Sequence, residues 1–181
     1  YNPNDRKIYF SLNNLDSRST LSGFKKNMTT FFHEYGHWLD YNYSISGTLR
    51  DELPMLRELL TNDAITYTNN IINDEKIKIK SFLRNSKLEK EKMDIVSREI
   101  WKNSSTNSSI SDIFEGITRG KIRDGYGHGS SYWERSFALE KEAIAEMFEA
   151  IASGGDRRKA MEKYFPSAFK YFEDKIKELL K

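Results

Sequence analysis

Five consecutive residues, His33-Glu34-Tyr35-Gly36-His37, limit this chain more than any other stretch. On a helix, residues i and i+4 lie one turn apart on one face, so both imidazoles address a single point. Glu34 stands about 100° round the helix from His33, within reach of a water held at that point. The flanks favour a helix: Met28, Phe31, Phe32, Tyr35 and Leu39 recur at helical spacing, with Asn27 as the expected N-cap and an end near Tyr41. A zinc ion held by neutral imidazoles acidifies its water, and a carboxylate takes the proton as that water attacks a carbonyl. The chain has only three histidines, and two of them sit in this pentapeptide.

A catalytic site of this type needs a third protein ligand and one open position. With no cysteine in the chain, thiolate ligands, thiol nucleophiles and disulfides are excluded. The pattern HExxHxxGxxH is excluded as well, because Asp40 and Tyr43 stand at its glycine and third-histidine positions. Asp40, His128 and the acidic residues of a late helix remain. In Glu140 to Ala152, alanines with Ile144, Met147, Phe148 and Ile151 cover most of the circumference, while Glu142, Glu146 and Glu149 form one row at i, i+4 and i+7. Alone, such a row reads as the solvent face of an amphipathic helix. Beside paired histidines it reads as a source of carboxylate. With Glu142 as ligand the set is His33, His37 and Glu142, Glu146 one turn on orients a histidine from behind, and Glu149 is expected in solvent.

The rest of the chain is expected to build one domain, 1–181, around this helix. Lys7 to Leu12 is β-prone and predicts a strand. Asp51-Glu52-Leu53-Pro54 reads as a helix start, with Leu56, Leu59 and Leu60 inward. Residues 74–109 read as a charged helical insertion, since 74–102 carries nine Lys or Arg against six Asp or Glu and 103–109 is Ser/Asn/Thr-rich. Beyond it come a short helix over Ser111 to Thr118, a glycine-rich stretch from Gly120 to Gly129, and a helix over Phe137 to Ser153. Asp156 is the expected cap of a helix to Tyr164, and Pro166 opens the last one, with Phe169, Phe172, Ile176 and Leu179 or Leu180 as its inward stripe. A formal net charge of +2 gives no basic footprint for nucleic acid, and no run of about 18 apolar residues predicts a membrane span. The chain begins at Tyr1 rather than Met, as expected of an excised domain or processed product.

HEYGHWLD at 33–40, followed by EAIAEMFEA at 142–150, resembles the gluzincin metallopeptidases. The resemblance is nearest to the catalytic domain of anthrax lethal factor and to small bacterial proline-specific endopeptidases. Residues 33–40 with the later GYGH, YW and EAxAEMF segments also resemble zincin domains of phage minor head proteins. It implies a mostly helical α+β zincin-like fold, with a small N-terminal β-sheet over the HExxH helix and one sheet edge pairing with peptide substrate. It implies Zn²⁺ held by His33, His37 and Glu142 rather than Glu149, with Glu34 as general base and Glu146 and Asp40 supporting the ligands. It further implies a peptide or protein substrate and membership of a larger phage or toxin polypeptide. One departure stands out. A tyrosine seven residues before the glutamate ligand steadies the oxyanion in lethal factor-like enzymes, and that position here is Arg135. Tyr132, on a turn three residues longer, is the first substitute, with Tyr126 and His128 as alternatives. The competing expectation is a non-catalytic structural or interaction module that keeps the fold and a structural zinc. Retention of Glu34 weighs against it.

Overall fold

The computed structural model describes residues 1–2, 4–9, 21–43, 53–74, 94–100, 108–122, 128–179 and 181. These residues are mostly helical. In chain order they form α1 (Leu21–Tyr43), α2 (Leu53–Asp74), α3 at 94–100, α4 (Ser108–Thr118), α5 (Ala138–Ser153), α6 (Gly155–Tyr164) and α7 (Pro166–Leu179).

No strand occurs among the described residues. Asn2 and Lys7 make one isolated antiparallel bridge, Ile8 and Tyr9 belong to no regular element, and 10–12 lie outside the described residues. The expected strand at Lys7 to Leu12 and its sheet therefore have no support here. An isolated bridge has no neighbouring hydrogen-bonded pair from which a ladder could extend.

Two other boundaries move. α1 is already helical from Leu21, so Asn27 is an interior residue rather than a cap. Asparagine inside a helix costs less than about 1 kcal/mol, which the rest of a 23-residue helix absorbs. α4 begins at Ser108, three residues before the expected start, because Ser109 and Ile110 are buried with the rest of the helix rather than left in a loop. Asp156 lies in the first turn of α6, where its charge complements the helix dipole, but no side chain caps that helix. Of the charged stretch at 74–109, the described part at 94–100 sends Val96 and Ile100 into the main core.

The core is built on α5. Its apolar side, Ala143, Ile144, Met147 and Ala150, packs with Leu56 and Leu60 of α2, Phe114 of α4, and Tyr164, Phe165, Phe169 and Phe172 around α6 and α7. Its other side carries the acidic row and lies along α1 in the most extensive helix–helix contact of the structure. Gly36 is the reason α1 comes so close. A Cβ built there would stand 2.7 Å from the Ala145 Cα and 3.1 Å from the Phe148 Cβ.

Two long-range carboxylates fasten the layers. Glu140, 2% exposed, receives both Nε (2.6 Å) and Nη2 (2.9 Å) of Arg57, tying α2 to the start of α5. Asp63, in the middle of α2, accepts the backbone N–H groups of Ser167 (2.8 Å) and Ala168 (3.0 Å). Those are donors that the first turn of α7 leaves without intrahelical partners. Pro166 contributes no donor, so Asp63 does from a distance what an N-cap side chain does locally. Asp63→Ala is expected to cost about 1–2 kcal/mol, read as a lower denaturation midpoint, and Asp63→Asn, which keeps an acceptor, to cost less.

Candidate metal centre

The α1–α5 contact brings His33, His37 and Glu142 together. His33 Nε2 lies 3.2 Å from His37 Nε2 and 3.4 Å from Glu142 Oε2, and His37 Nε2 lies 3.5 Å from the same oxygen. The imidazoles stand nearly perpendicular, at 84°, with both inner nitrogens turned to one point. Three atoms each about 2.0–2.2 Å from a tetrahedral zinc would lie about 3.3–3.5 Å apart. The triangle's edges of 3.2, 3.4 and 3.5 Å are close to that spacing. Glu142 is 1% exposed, and its Oε2, although facing these rings, has no hydrogen-bond partner among the described residues. A buried carboxylate oxygen left without a donor is costly unless a cation meets it.

Around this triangle the structure gathers further polar groups. Behind His33, Nδ1 faces Glu146 Oε1 at 3.2 Å, which fixes the ring's orientation and leaves Nε2 for the shared point. Glu149 Oε2 is 3.9 Å from the same Nδ1, and its other oxygen is held by Arg157 of α6. Glu149 is therefore not in solvent. It is 5% exposed, because the acidic row faces α1 and not the outside. Arg157 also reaches the Ser109 hydroxyl of α4 at 3.3 Å, joining three helices.

On the other flank, Tyr132 donates its hydroxyl to Glu142 Oε1 and stacks on His128, with ring centroids 3.9 Å apart and 16° between planes. Arg135, at the position where the resemblance calls for tyrosine, lies 5.0 Å over the Tyr132 ring and buttresses it. His128 Nε2 stands 3.5 Å from both Glu142 Oε2 and Asp112 Oδ2. Glu115 of α4 holds this segment by accepting the Gly129 N–H at 3.2 Å. Tyr126 lies outside the described residues.

Asp40 is buried on α1, one turn beyond His37. Glu34 is partly exposed, is not a member of the triangle, and pairs with the Tyr1 amino group.

The electrostatics follow from this crowding. Burial pushes the Glu142 carboxyl up, but His128, His33 and His37 together pull it well below the usual carboxylate range. Burial works against a charged His33, yet Glu142 and Glu146 push its pKa up to about 11. Burial and the neighbouring Glu146 push Glu149 and Asp112 up to about 7, against the pull of Arg157 and His128 respectively. Burial, then the bond to Glu142, raises Tyr132, which keeps its hydroxyl protonated and a donor.

Asp112, Glu115 and Arg157 carry no histidine-linked pattern in the sequence. One signal was available for the first two. Residues 109–116 of α4 are buried on every side, and acids in a helix buried all round need partners inside the protein.

The described residues thus define a helical domain whose most extensive helix contact brings together two partly exposed histidines and a buried glutamate that could hold a metal ion. No family model, no curated protein and no solved structure matches the chain.

Proposed function

We propose that the domain is a zinc-dependent metalloendopeptidase of the gluzincin type, in a zincin-like fold, hydrolysing internal peptide bonds. The observation that carries the reading is the triangle of His33, His37 and Glu142, with edges of 3.2–3.5 Å close to the ligand spacing on a tetrahedral zinc and the buried Glu142 Oε2 facing both rings. His33 and His37 would hold the ion through Nε2 and Glu142 through Oε2. When bound, zinc supplies Lewis-acid polarisation of the substrate carbonyl and makes water acidic.

The chain's own residues then divide the remaining work. Glu34, one position from a ligand on the same helix, takes the proton of the attacking water and delivers it to the leaving amine. Tyr132, braced by Arg135 and His128, would turn its hydroxyl from Glu142 Oε1 toward the oxygen that gains negative charge, and His128 is the alternative donor on that side. Glu146 keeps His33 in the tautomer that leaves Nε2 free for the ion.

Glu34→Gln is expected to keep about one zinc per chain while peptide cleavage falls by about 10²- to 10⁴-fold. Equal cleavage by the variant and the parent chain would sink Glu34 as the base. A zinc-loaded parent chain that cuts nothing in a broad peptide library would favour the structural-module reading.

A further inference from the structure

Asp112 is a carboxylate 7% exposed to solvent, and the role proposed for the triangle makes no use of it. Its Oδ2 stands 3.5 Å from His128 Nε2, while its Oδ1 has no hydrogen-bond partner among the described residues. The same His128 nitrogen is 3.5 Å from Glu142 Oε2, the distance at which His37 meets that oxygen. One oxygen of Asp112, one nitrogen of His128 and one oxygen of Glu142 all lie within 4.8 Å of one another. His128 is 40% exposed on its side chain, so the cluster opens to solvent where the His33–His37 face is more enclosed.

We propose that Asp112, His128 and Glu142 form a second, weaker site for a divalent transition-metal cation, sharing Glu142 with the first. A carboxylate bridging two cations is ordinary metal chemistry, and a neutral imidazole with two carboxylates is a donor set suited to zinc and its neighbours. The second site is the weaker one because its Glu142 oxygen is shared with the first and its histidine is more exposed to solvent. An occupied site would also set a cation against the buried Asp112 carboxylate, whose Oδ1 has no hydrogen-bond partner among the described residues. The inference rests on the proposed first site only through the shared Glu142.

The test is equilibrium dialysis of the metal-stripped full chain against zinc, with bound metal counted and helicity followed by circular dichroism. The parent chain should bind two equivalents, the second more weakly. Asp112→Asn and His128→Gln should each keep the tight equivalent and weaken the second by more than about 10-fold. His128→Gln alters an exposed side chain and carries the test if Asp112→Asn does not fold. A parent chain that stops at one equivalent in millimolar zinc overturns the second site and leaves the first standing. Retention of the second equivalent by both folded variants overturns it too. An intact tight equivalent in His37→Ala would instead overturn the first site, whatever the Asp112 and His128 variants do.

Discussion

Glu142→Ala should strip the chain of its tightly held metal, while Glu149→Ala should leave it in place. Both residues are buried on the same face of α5, so burial alone predicts similar effects. Their partners differ. Glu142 Oε2 meets His33 and His37 at 3.4 and 3.5 Å, whereas Glu149 reaches only the back of His33, at 3.9 Å, and is already paired with Arg157. Removing a first ligand takes away a bond to the ion. Removing a group behind a ligand typically costs about 10- to 100-fold in affinity. Metal counts on the two purified variants decide between these assignments, and equal losses would mean the acidic row has been misread. Alanine at 149 also takes from Arg157 its carboxylate partner, so its main effect is expected on the melting temperature.

Gly36→Ala should damage fold and site together. The added methyl would stand 2.7 Å from a backbone atom of α5, a contact no rotamer change relieves. Forcing helices apart in a packed core costs about 1–3 kcal/mol, and here the separation falls on the helix pair that holds the ligands. The triangle has edges of 3.2–3.5 Å, so a shift of half an ångström or more (about the size of the clash) takes Glu142 out of range of the histidines. Calorimetry should show a lower melting temperature and metal analysis a reduced zinc content. A variant of parental stability that lost zinc would still implicate the helix spacing, whereas full zinc retention would refute it.

How far the sequence foretold this arrangement depended on whether the signal was local. The HExxH helix, the glutamate row and the apolar stripe of α7 follow from spacing alone, because helix periodicity maps them onto faces. Glu149 escaped because periodicity says which residues share a face and not what covers that face. Asp112 escaped because it meets His128 only through tertiary packing, and the pair is separated by a glycine-rich stretch of no fixed period. The N-terminal strand was expected from β-propensity, a weak guide where no partner strand is defined. The Arg135 departure was visible in the sequence, but its consequence was not: arginine there does not replace the missing tyrosine but stacks on Tyr132.

The triangle's members come from opposite ends of the chain. At about 5–20 residues per second, a ribosome needs about 5–20 s to travel the roughly 105 residues from His37 to Glu142. Throughout that interval the nascent chain carries the paired histidines and Glu34 without the carboxylate that closes the set. The cluster can assemble only when most of the domain has been made, so growing chains and truncated products alike lack it. Any activity the cluster supports is thereby confined to molecules whose synthesis has passed α5.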